Sequence, residues 1–105
     1  MLFSSLSRFV TLGEDTWLID SGVSKHMTRK KQTLFILEEK NSPQKVSLGD
    51  DYQYSIKGTG ESSYKIDSGT SMKMKEVLYV PGLKKNLLSI SALYKKGYRV
   101  DFIDG

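Results

Sequence analysis

The sequence predicts a mainly β chain, a small closed β-barrel with one short C-terminal helix. Short apolar–polar alternations recur along its 105 residues, the period of half-buried strands. Clusters of Gly, Pro, Asn and Asp separate them, and these residues favour turns. A single late stretch places apolar residues at helical spacing. Many short strands with one helix suit a closed β architecture.

The elements follow in order. Arg8 to Leu12, the turn Gly13-Glu14-Asp15 and Thr16 to Asp20 read as a hairpin. Residues 24 to 43 are mixed, with Phe35, Ile36 and Leu37 as apolar anchors and Asn41-Ser42-Pro43 as punctuation. Gln44 to Leu48 alternates as a strand, and Gly49-Asp50-Asp51 is a turn signal. Tyr52 to Ile66 is one longer stretch in which Gly58 and Gly60 suggest a bulge or a close backbone approach. Met72 to Val80 alternates again and stops at Pro81-Gly82. Asn86 to Lys96 is the helix, with Leu87, Leu88, Ile90, Leu93 and Tyr94 as a core stripe and Gly97 as its C-cap. Val100 to Ile103 closes the chain as a last strand.

Length and composition narrow the function. One domain with a modest core is expected, too small for a two-lobed enzyme. The absence of cysteine excludes disulfides and thiolate metal sites. No signal peptide or transmembrane span is read from the sequence. The formal net charge of +4 comes in part from Arg29-Lys30-Lys31, Lys84-Lys85 and Lys95-Lys96, which read as solvated faces. The aromatics do not interleave with these runs as a stacking platform for single strands requires.

The chemistry concentrates in Trp17-Leu18-Ile19-Asp20-Ser21-Gly22-Val23-Ser24. An apolar strand that ends in Asp and turns at once can present a carboxylate to a cleft. A second Asp-Ser-Gly, Asp67-Ser68-Gly69, lies 47 residues later between two alternating stretches flanked by Lys65 and Lys73. That spacing is too short for a second lobe, and the residues suit a hairpin loop with Gly in the left-handed position. His26 is the single histidine, with no cysteine to join it, so no metal site is expected. It reads as a packing residue beside the cleft. Ser24 and His26 are badly spaced for a nucleophile–base pair. Asp50 and Asp51 are adjacent on a turn and point apart.

Longer motifs carry a family resemblance. Trp17-Leu18-Ile19-Asp20-Ser21-Gly22-Val23-Ser24-Lys25-His26-Met27-Thr28 is followed by Val46-Ser47-Leu48-Gly49-Asp50 and by Ile56-Lys57-Gly58-Thr59-Gly60. Then comes Val77-Leu78-Tyr79-Val80-Pro81-Gly82-Leu83-Lys84-Lys85-Asn86-Leu87-Leu88-Ser89-Ile90. Over about residues 16 to 104 the chain resembles the protease region of the Pol polyprotein of copia-type LTR retrotransposons from plants. Val23 replaces the family's usual Ala. Ser89 and Ile90 stand where retroviral proteases have Gly and Arg.

The resemblance implies a retropepsin-like domain over 16–105, preceded by a poorly matched segment and first strand over 1–15. It implies an aspartic endopeptidase, a homodimer in which each subunit gives one Asp20 and which cleaves peptide segments of the Gag-Pol polyprotein. No cofactor is needed. One carboxylate takes a proton from the attacking water while the other hydrogen-bonds the scissile carbonyl, and an acidic optimum is expected. Ser21 and Gly22 support the site, Ser21 through a bond to the opposite subunit's backbone. Val23, Ser24, Met27, Leu48, Gly49, Leu83 and Leu87 line the substrate cleft. Residues 45 to 57 form the flap, and Val100 to Ile103 pairs the dimer. The location implied is the cytoplasm, in a virus-like particle, with the nucleus as the alternative. No membrane partner is expected. The competing reading is an inactive β-barrel relic or spacer that binds protein or nucleic acid through its basic face.

Overall fold

The computed structural model describes residues 8–41, 43–48, 51–67 and 70–97. Its strands are β1 (Arg8–Leu12), β2 (Asp15–Asp20), β3 (Met27–Thr28), β4 (Ile36–Glu39), β5 (Lys45–Ser47), β6 (Gln53–Ser55), β7 (Gly58–Asp67), β8 (Thr70–Tyr79) and β9 (Asn86–Ser89). One helix, α1 (Ile90–Lys95), follows directly on β9. Seven strands form one sheet in the order β1-β2-β9-β3-β8-β7-β4, and β5 and β6 pair only with each other. The mainly β expectation therefore holds, but closure does not: among the described residues no sheet closes into a barrel. Among the described residues β1 and β4 are the sheet's edges, and each carries charge beside it. The Lys85 ammonium lies 4.4 Å from the Phe9 ring on β1. On β4, Glu38 and Glu39 are exposed, and Glu39 pairs with Lys31 at 2.7 Å.

Period-two alternation sends the central strands' side chains to two separate cores. From β2, Trp17 and Ile19 join Leu12, Met72, Met74, Val77, Leu88 and Leu93. Leu18 joins Val23, Met27, Val80, Leu83 and Leu87. β9 likewise gives Leu88 to one cluster and Leu87 to the other. Leu93 of α1 packs in the first cluster, and Val46 and Tyr54 of the β5–β6 hairpin pack on the second.

This burial on both sides explains the largest departure from the expected elements. All four residues of β9 are buried, and they run parallel to β2 with Trp17 opposite Asn86 and Asp20 opposite Ser89. A strand buried on both faces loses its alternation. Leu87-Leu88 followed by Ile90 and Leu93 then mimics helical spacing, so the expected helix over 86–96 is a strand for its first four residues. Leu87, Leu88 and Leu93 are core, whereas Tyr94 is 57% exposed. The expected single stretch from Tyr52 to Ile66 divides at Ile56-Lys57 into β6 and β7, which belong to different sheets.

Both glycine expectations hold. Between Gly60 and Ser62 the register with β8 slips, from Gly60↔Val77 to Ser62↔Met74. The extra residue falls on β8, where Glu76 takes a left-handed φ of 57°. That bulge keeps Val77 on the same face as Met74 despite the odd spacing. A Cβ on Gly58 would stand 2.8 Å from the Glu38 carbonyl, and one on Gly60 would overlap the Ile36 carbonyl. The second Asp-Ser-Gly lies at the β7–β8 connection, with Asp67 paired to Thr70 in an antiparallel hairpin. Ser68 and Gly69, the tip residues Gly49 and Asp50, and the expected strand Val100 to Ile103 lie outside the described residues.

Candidate active site

Asp20 is the last residue of β2, where the strand gives way to the turn Ser21-Gly22. Its Oδ1 accepts a 2.7 Å hydrogen bond from the Gly22 amide. A side chain at Gly22 would place its Cβ 3.2 Å from that same oxygen. That contact is tight, so a side chain here would have to displace the carboxylate by a few tenths of an ångström. Asp20 is half-buried, and Ser21 and Gly22 are exposed.

The turn is held from behind by Ser89, which is fully buried and lies beside Asp20 in the parallel register. The Ser89 hydroxyl donates to the Val23 carbonyl at 2.7 Å and accepts from the Ala92 amide at 3.1 Å. It thereby caps α1 and pins the chain just after Gly22. The Ser89 amide donates to Nδ1 of His26 at 2.9 Å. His26 is 3% exposed, and desolvation lowers its pKa to about 4. The imidazole is thus neutral at pH 7, with its proton on Nε2 because Nδ1 accepts.

A second buried network braces the neighbouring strands. Thr28 donates its hydroxyl to Asn86 Oδ1 at 2.8 Å, and the Arg29 amide donates to the same oxygen at 2.9 Å. Thr33 donates to Thr28 at 2.8 Å, and the Ser62 hydroxyl donates to the Thr33 carbonyl at 2.6 Å. These bonds join four chain segments and satisfy polar atoms that burial would otherwise penalise.

Of the residues expected to line a substrate cleft, five come together. Val23, Met27, Leu83 and Leu87 are buried in the second core, and Leu48 packs against them. The β5–β6 hairpin lies on this cluster through Val46, Leu48, Tyr54 and Ile56. Its base is tied down by bonds from the Ile56 amide to the Gln44 carbonyl and from the Lys57 amide to the Tyr79 carbonyl. Ser24 stands apart from them. It is exposed and lines a different cleft with Lys25 and His26. Gly49 is outside the described residues. Ser89, Thr28, Asn86 and the anchoring role of His26 escaped the sequence reading. The signal that marks them is a polar residue inside an otherwise apolar run.

Among the described residues, no group of three or more His, Cys, Asp or Glu side chains is placed to hold a metal ion. No described helix is long and apolar enough to cross a membrane.

A two-core sheet, a self-paired hairpin and a turn clamped just after Asp20 define this β domain. The family model of the Pol polyprotein beta-barrel domain matches residues 17–98, and the chain belongs to that family. It is 32% identical over 89 residues to the retrovirus-related Pol polyprotein from transposon TNT 1-94 of Nicotiana tabacum. That match takes in 85% of this chain and 7% of the relative. It is 33% identical over 79 residues to the retrovirus-related Pol polyprotein from transposon RE2 of Arabidopsis thaliana, covering 75% of this chain and 5% of the relative. The chain thus spans a small part of these polyproteins. No solved structure matches it.

Proposed function

We propose that this domain is the aspartic endopeptidase of a retrotransposon Pol polyprotein, retropepsin-like in fold and active as a homodimer. The observation that carries this reading is the geometry at Asp20: a carboxylate at a strand end, held by the Gly22 amide, in a turn clamped by Ser89. Oδ1 is held in place, and Oδ2 is the oxygen that would meet water or a partner carboxylate. Asp67 belongs to a hairpin, so the second carboxylate comes from Asp20 of another copy. Two carboxylates at close range share one proton, which supplies a base for water and an acid for the scissile carbonyl. The β5–β6 hairpin acts as the flap. It must lift from Val23, Met27, Leu83 and Leu87 to admit an extended peptide, and those side chains then line the subsites. The substrates are segments of the polyprotein itself, and processing takes place in the cytoplasmic particle.

The test joins assembly to chemistry. The purified domain should dimerise in sedimentation experiments and cleave peptides spanning Pol domain junctions at mildly acidic pH. Asp20→Asn should abolish cleavage and leave the circular dichroism spectrum unchanged. A strict monomer at high concentration, or cleavage that survives Asp20→Asn, would overturn the proposal and favour an inactive spacer module.

A further inference from the structure

Phe9 of β1 lies opposite Leu18 of β2, Leu18 opposite Leu87 of β9, and Leu87 opposite Met27 of β3. Residues opposite one another in a sheet project from the same face. This row therefore runs along the face of the second core, where Leu18, Leu87 and Met27 pack with the β5–β6 hairpin. Alternation along β2 puts Asp20 on that face as well, two residues from Leu18. Towards β1 the row opens to solvent. Leu18 is half-buried, and Phe9 is 53% exposed. The contact between the Lys85 ammonium and the Phe9 ring, 4.4 Å to the ring centre, fixes a positive charge at this open end. Lys85 is exposed, and among the described residues no carboxylate pairs with it. Protection of an edge strand accounts for a charge beside β1. It does not account for a large aromatic left half-exposed beneath that charge.

We infer that Phe9 and Lys85 form a specificity subsite that selects an acidic side chain, glutamate above all, in the peptide cleaved by the Asp20 pair. The inference rests on the protease reading of Asp20. A strand rises about 3.3 Å per residue, and neighbouring strands stand about 4.8 Å apart. Two residues along β2 and one strand across separate Phe9 from Asp20 by about 8 Å, or two to three residues of an extended peptide. The Lys85 ammonium takes the substrate carboxylate. The Phe9 ring takes the methylenes behind it, of which glutamate has one more than aspartate. The cation–π contact holds the ammonium in place before substrate arrives, so less side-chain freedom is lost on binding.

Peptides spanning a Pol domain junction test this on the intact chain. Each residue near the scissile bond, on either side, is changed in turn to Glu, Gln or Lys. At about pH 5.5 a substrate glutamate is ionised. At a position two or three residues from the bond, kcat/KM should then rank Glu above Gln above Lys, with Glu about 5-fold over Gln. The ranking should flatten at about 1 M salt. Lys85→Glu should reverse it, so that Lys becomes the preferred residue, and Lys85→Gln should level it. Lys84→Glu makes the same charge change at the adjacent exposed residue and should keep Glu first. Circular dichroism checks that each variant folds. If the peptides are cleaved but show no ranking at any position, or one that survives both Lys85 substitutions, the subsite is refuted and the protease reading stands. If the parent chain cleaves no junction peptide, both fall together.

Discussion

Ser89 shows how one buried polar side chain can organise a site that it does not enter. Its hydroxyl joins the Val23 carbonyl to the Ala92 amide, and its amide joins β9 to His26. Ser89→Ala removes the helix cap and leaves the Val23 carbonyl without that donor. The expected loss is about 2 kcal/mol in urea unfolding. Amide exchange at Gly22 and Val23 should accelerate more than exchange in β7. If the protease proposal holds, kcat should fall with the loosened turn while KM changes little. Asp20 was legible in the sequence because an apolar run stops abruptly at small polar residues. Ser89 and His26 were not, since their partners lie 66 and 63 residues away and a polar core residue creates no periodic signal. Only the fold brings them together.

At the scale of elements, Gly60 has the closest backbone neighbour of the described glycines. Any Cβ there overlaps the β4 carbonyl of Ile36, so Gly60→Ala must push β4 away from β7. A destabilisation of about 3 kcal/mol is expected. Across the bulge the opposite change should help. Glu76 is exposed and holds a left-handed φ of 57°, a conformation that glycine adopts freely. Glu76→Gly should leave stability unchanged or raise it by up to about 1 kcal/mol, measured by urea denaturation. A marked loss would show that Glu76 makes a contact worth more than the relieved strain. Only the first of these positions was legible in the sequence. Gly58-Thr59-Gly60 suggests an irregularity, but reading Met72 to Val80 as simple alternation hides the extra residue on β8, which the odd step from Met74 to Val77 carries. The β9–α1 boundary was hidden for a different reason: continuous apolar residues fit a buried strand and a helix equally well.

For the whole molecule, acid is both what the proposed chemistry wants and what the core resists. His26 is buried neutral, with its pKa lowered to about 4 from the ordinary 6.5. The unfolded chain therefore binds a proton between pH 6.5 and 4 that the folded chain refuses. Its contribution is fully present above pH 6.5 and declines as pH falls towards 4, a total of about 3 kcal/mol. Protonation would also cost Nδ1 its role as acceptor for the Ser89 amide, so the strain is felt at the residue that clamps the Asp20 turn. Urea midpoints measured at pH 7, 5.5 and 4.5 should fall steadily in the parent chain. His26→Gln, which cannot titrate, should start lower at pH 7 and fall less over the same range. Parallel slopes for the two chains would show that His26 does not govern acid stability. Dimer formation stabilises by mass action and opposes this loss. Cleavage should then extend to lower pH as enzyme concentration rises, and peptide assays at two concentrations a hundredfold apart would reveal the shift. An acid limb that stays fixed with concentration would place the limit in the chemistry at Asp20 rather than in the fold that carries it.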